Sequence, residues 1–95
     1  MAEISPKDII QRRQSLVIQE IDGDVVILNL DSGEYYGLAE VGVEIWKRIE
    51  QPQNVQSLID SLVADFEGDA EVIQADVLEF LNNMQEEGII EQADS

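Results

Sequence analysis

The sequence predicts an α+β domain: a three-stranded antiparallel sheet followed by three helices, in an order resembling a winged helix-turn-helix with its strands placed first. Three observations lead there. Two runs rich in aliphatic and β-branched residues flank an Asp22-Gly23 pair, the composition of a tight hairpin. A second turn signal, Asp31-Ser32-Gly33-Glu34, precedes a short aromatic run beginning Tyr35-Tyr36. From residue 41 onward, apolar residues recur at the helical spacing of about 3.6 residues. The pivot is the stretch Tyr35 to Trp46, where strand gives way to helix.

Taken in order, residues 1–15 read as an N-terminal arm, with Pro6 and a polar run at Gln11-Arg12-Arg13-Gln14. The domain proper is assigned to residues 16–92. Leu16–Ile21 is the first strand, and Val25–Leu30 is its partner across Asp22-Gly23, a pair suited to a type I′ turn because Gly accepts positive φ. Both faces of Val25–Leu30 are largely apolar, which predicts a covered outer face, with the arm as the candidate cover. Tyr35–Leu38 returns as the third strand. In the simplest meander it lies at the sheet edge, and it contains neither Pro nor Lys to protect that edge.

The first helix is expected from about Glu40 to Ile49, with Val41, Ile45 and Ile49 on one face and Trp46 as a core anchor. Gly42 costs roughly 1 kcal/mol against Ala inside a helix, so a backbone or bulky ring should approach it closely. Pro52 stops this helix. Asn54 caps the second, whose stripe is Val55, Leu58, Ile59, Leu62, Val63 and Phe66, with Gly68 closing it. Asp69 caps the third, whose stripe is Ile73, Val77, Phe80, Leu81 and Met84. At Gly88, with Ile89 and Ile90 following, the chain should fold back in a Schellman motif. Glu86 and Glu87 stand at the unfavourable end of this helix dipole, which only a basic group nearby would explain.

Composition narrows the function. The 95 residues contain no Cys and no His, which removes thiol chemistry, the usual zinc sites and His-based acid–base catalysis. No phosphate-binding Gly loop, nucleophile elbow or calcium-binding loop occurs, so neither a metal nor a cofactor is expected. The net charge is −16: nine acids face five bases before residue 49, and twelve acids with no base follow. That balance opposes nucleic acid and anionic membrane surfaces. The start lacks the pattern of a signal peptide, and no apolar run is long enough to span a bilayer, so the expected location is the cytoplasm. The acidic half reads either as a solubilising surface or as a field for a basic segment.

The Tyr35-Tyr36 pair must place one ring on each sheet face. One reading is simple sheet covering. The other is a binding edge, in which backbone groups of the third strand take an extended peptide and neighbouring pockets select its side chains. Phe80 and Met84 suit a core or a cleft wall, and Asp76 suits a solvated helix face or, at a cleft margin, a basic peptide residue.

The ordered set Leu30 to Leu38, then Val41-Gly42, Ile45-Trp46, Asp76 to Leu81 and Gly88-Ile89-Ile90 resembles the PqqD-like family, and most closely the stand-alone leader-recognition proteins of lasso-peptide biosynthesis. It departs at Ala39, where a polar cap for the first helix is more usual. The resemblance covers roughly residues 16–92. It implies the RiPP recognition element fold (RiPP: ribosomally synthesised and post-translationally modified peptide) and no catalysis. It also implies that the leader of a precursor peptide, commonly offering a Tyr and a Pro, binds as an extra strand and is presented to a transglutaminase-like leader peptidase or another modifying enzyme. Carried onto this chain, the peptide-binding residues are Glu34, Tyr35, Tyr36, Gly37 and Leu38 on the strand, with Ile73, Asp76, Val77, Phe80, Leu81 and Met84 on the third helix. Two alternatives remain at this stage, a winged-helix transcription regulator and a small acidic accessory subunit.

Overall fold

Strand β1 (Ile9–Arg12), β2 (Leu16–Ile21), β3 (Asp24–Asn29) and β4 (Tyr35–Leu38) precede helix α1 (Val41–Arg48). The two-residue β5 (Gln53–Asn54), α2 (Val55–Asp65), α3 (Ala70–Glu86) and β6 (Ile90–Gln92) complete the chain in the computed structural model, which describes residues 3–93.

β2, β3 and β4 form the expected antiparallel meander, with β3 central. The β2–β3 turn carries positive φ at both Asp22 (52°) and Gly23 (88°), the type I′ geometry whose twist matches the strands. Pairing of Val17 with Leu28 and of Leu28 with Tyr35 sets the register. It turns Val25, Ile27, Tyr36 and Leu38 toward the helices, and Val17, Val26, Leu28 and Tyr35 to the opposite face.

The arm does not cover that opposite face. It turns the other way, and β1 becomes the centre of a second antiparallel sheet in the order β5-β1-β6. Ile10, in β1, and Ile90, in β6, are buried with Ile4 in the main core. The outer face of the first sheet therefore stays open, with Tyr35 at 72% and Val17 at 46% exposure. The physical reason is that β1 finds unpaired backbone partners in β5 and β6, so it satisfies its own ladder there.

The helices follow the sequence closely. Trp46 and Ile45 are buried in the core, and Ile49 immediately follows α1. Val41, one turn before Ile45 on the same face, is exposed at the helix start. The ring of Phe80 lies 3.2 Å from where a Cβ on Gly42 would stand, so the bulky neighbour expected from the sequence is an α3 side chain. The Asn54 side chain accepts from the Ser57 amide, and the Asp69 side chain from the Glu71 amide, capping α2 and α3. Phe66 falls beyond the last turn of α2 and leaves its buried stripe.

α3 ends in the Schellman motif: the Ile89 amide bonds to the Met84 carbonyl, and the Gly88 amide to the Gln85 carbonyl, with Gly88 at φ 75°. No basic residue sits in its last turn. The compensating group is neutral. The Asn29 side-chain amide, buried on the core face of β3, donates to the Glu87 carbonyl at 3.0 Å, while its oxygen accepts from the amides of Asp31 and Ser32. One side chain thus ties the β3–β4 turn to the end of α3.

Candidate functional site

β4 is an edge strand, because only β3 pairs with it. Two backbone hydrogen bonds fix which of its groups are unpaired. The Asn29 amide donates to the Glu34 carbonyl, and the Leu30 amide donates to the Ser15 carbonyl. Alternation along antiparallel pairs then gives residues 34, 36 and 38 to β3. The N–H and C=O groups of Tyr35 and Gly37 point to the free edge. Gly37 is exposed, and a Cβ there would meet nothing within 4 Å, so another chain can approach its backbone closely.

Beside this edge runs α3. Tyr36 is half-buried on the helix-facing side, near enough to Glu87 for that carboxylate to act on its phenol. Burial first, and Glu87 second, push the Tyr36 hydroxyl pKa above its ordinary 10.0, since both disfavour the phenolate. Leu38 and Phe80 both approach Gly42, so the strand passes α3 from the Glu87 end toward Phe80.

The cleft continues into an apolar cavity of about 370 Å³ between α1, the end of α2 and the first half of α3. Val41, Gly42 and Ile45 form one wall; Leu62 and Phe66 another; Ile73, Val77 and Phe80 the third, with Glu67 and Asp76 among the lining residues.

The structure places the residues expected at the site in two layers. Glu34, Tyr35, Tyr36 and Gly37 are accessible on the strand, and Ile73, Asp76 and Phe80 on the helix. Leu38, Val77, Leu81 and Met84 are buried; Leu81 and Met84, fully enclosed, support the cleft from beneath. The sequence reading did not place Val41, Leu62, Phe66 or Glu67 here. A signal existed for two of them: Val41 stands at the very start of α1, and Phe66 sits two residues before Gly68, both at helix ends where a stripe loses its cover. No group of three carboxylates suited to a metal occurs among the described residues, and no helix among them is long and apolar enough to cross a membrane.

A three-stranded meander with an open edge at β4, a helix alongside that edge and a helical pair behind it define the fold class of the RiPP recognition element. The family described as Coenzyme PQQ synthesis protein D (PqqD) matches residues 24–90, and the chain belongs to that family. Two solved structures are similar in fold. TbiB1, in complex with the TbiA(beta) leader peptide, superposes with a TM-score of 0.80 at 27% identity, over 90% of this chain and 99% of that one. A lasso peptide synthetase B1 complexed with the leader peptide gives a TM-score of 0.76 at 20% identity, over 86% and 96% of the respective chains; at that identity the likeness concerns the fold alone. No curated protein matches the chain.

Proposed function

We propose that this chain is a non-catalytic binding protein that captures the leader of a ribosomally made precursor peptide as a fourth strand on β4 and presents it to a separate processing enzyme, in lasso-peptide biosynthesis. The observation that carries the reading is the free edge at Tyr35 and Gly37, aligned with a helix-walled apolar cleft. Backbone bonds to that edge supply affinity for any extended segment, and the cleft supplies selection. TbiB1, by its description, is in complex with a leader peptide, which supports the same role here. A transglutaminase-like leader peptidase is the partner the family resemblance suggests, and the cytoplasm is the corresponding location. Within this reading the described part of the arm, residues 3–15, belongs to the folded unit, since β1 pairs with both β5 and β6.

The test is an amide chemical-shift titration with a peptide selected from a display library of random dodecapeptides. Large shifts are expected at residues 34–38 and along one side of residues 73–84. Shifts confined to α2 or β1 would refute strand addition.

The rival of a DNA-binding winged helix is disfavoured by charge. α2 and α3 contain no Lys or Arg, so the candidate recognition helices would meet phosphates with carboxylates.

A further inference from the structure

The cavity beyond β4 combines two kinds of lining. Its walls are aliphatic and aromatic, yet Glu67 and Asp76 both line it. Both acids are exposed, and neither has a hydrogen bond or ion pair with a described residue. Every basic residue of the chain lies at or before Arg48. Arg48 itself, 5.9 Å from the Phe66 ring, is engaged with Glu44 and Asp65. The cavity thus has an apolar interior and uncompensated negative charge.

The order of residues gives direction. Phe80 stands closest to the strand end, against Gly42; Asp76 is one helical turn farther along α3, and Glu67 lies in the α2–α3 connection. A side chain entering from an added strand would meet Phe80 before it reaches Asp76.

We propose that this cavity takes a single Arg or Lys side chain of the captured peptide, its methylene stem against Val41, Ile73, Val77 and Phe80 and its cationic head at Asp76 and Glu67. Long basic side chains bury an apolar stem while keeping the charge at a polar margin, and an Arg head gains further from the Phe66 face. A wholly apolar occupant would leave both carboxylates facing it without a counter-charge. The inference rests on the strand-addition reading and adds a specificity rule to it: one basic residue, at a fixed spacing from the residues that pair with β4.

The experiment is selection of random dodecapeptides on the wild-type protein and on the Glu67→Gln/Asp76→Asn double variant, both exposed positions whose exchange leaves the core intact. The wild type should enrich Arg or Lys at one position in fixed register with alternating apolar residues, and the double variant should lose that preference while keeping the apolar register. For one enriched peptide, replacing the basic residue by norleucine should weaken binding to the wild type by up to about fivefold, the upper end for an exposed pair, and should leave binding to the double variant unchanged. No basic enrichment, or an enrichment that survives in the double variant, overturns the proposal but leaves strand addition standing. Selected peptides whose affinity is unaffected by Gly37→Pro would instead remove the strand-addition reading, and this inference with it.

Discussion

Three residues show how local chemistry holds the cleft open and in register. Glu40 adopts φ 55° and ψ −120°, with the Gly42 amide bonded to the Ala39 carbonyl. This is the geometry of a type II′ turn with a non-Gly residue where Gly is preferred. Glu40→Gly relieves strain of about 1–3 kcal/mol, against a Gly entropy cost of about 0.5–1 kcal/mol, so the variant should be more stable by about 1 kcal/mol. Thermal unfolding measures it, and a lowered midpoint would show that Glu40 is unstrained. Asn29 serves four backbone groups from one buried amide. Asn29→Leu leaves them without that partner and should cost about 2–4 kcal/mol, seen as a lower denaturant midpoint.

The Tyr36 phenol gives a pH-dependent signature. Its pKa is raised in the folded state, so the stabilisation is fully present below the ordinary value near 10.0 and is lost as pH rises through the higher folded value. Ultraviolet titration should show a late tyrosinate step in the wild type that belongs to Tyr36. That late step should be absent in Tyr36→Phe and should move to lower pH in Glu87→Gln.

Among the elements, β4 and β1 carry distinct duties. In β4 the unpaired donors are at positions 35 and 37, while position 36 faces β3. Gly37→Pro removes an outward N–H without breaking the ladder; it should abolish or strongly weaken peptide binding with little loss of stability. Tyr36→Pro should instead unfold the meander, because it removes a donor to β3. Calorimetric binding and circular dichroism on both variants separate the two effects, and equal binding losses at unchanged folding would contradict the assigned alternation. In β1, Ile10 has no exposed surface. Ile10→Ala should cost about 2–5 kcal/mol, a loss an unstructured arm would not produce.

For the molecule as a whole, charge governs conditions more than architecture. At −16 the folded chain repels itself, and the surface pairs joining Arg13 to Asp31 and Glu91 are long, at 3.9 Å, so they offset little. Salt near 0.5 M, where screening reaches only about 4 Å, should raise the unfolding midpoint; a falling midpoint would mean that the ion pairs outweigh the repulsion. The same screening should slow association of a basic peptide more than it speeds dissociation.

The sequence by itself determined the local features. The Asp22-Gly23 turn, the caps at Asn54 and Asp69, the Schellman stop at Gly88 and the bulky neighbour of Gly42 depend on residues within a turn or on a missing side chain, so short-range chemistry specifies them. The open edge at Tyr35–Leu38 was legible too, since two tight turns in succession leave the third strand outermost. Only the tertiary structure decided the long-range matters. β1 pairs with segments more than 40 residues away, and nothing in its own polar run announces them. The cavity draws Val41 from α1, and Leu62, Phe66 and Glu67 from α2 and the connection after it, and a stripe on one helix does not say what faces its margin. Asn29 is a polar residue on the strand face of Val25 and Ile27; its bonds from the Asp31 and Ser32 amides are local, but the Glu87 carbonyl arrives there only after folding, because satisfaction of a buried amide is a property of the assembled core and not of the strand that carries it.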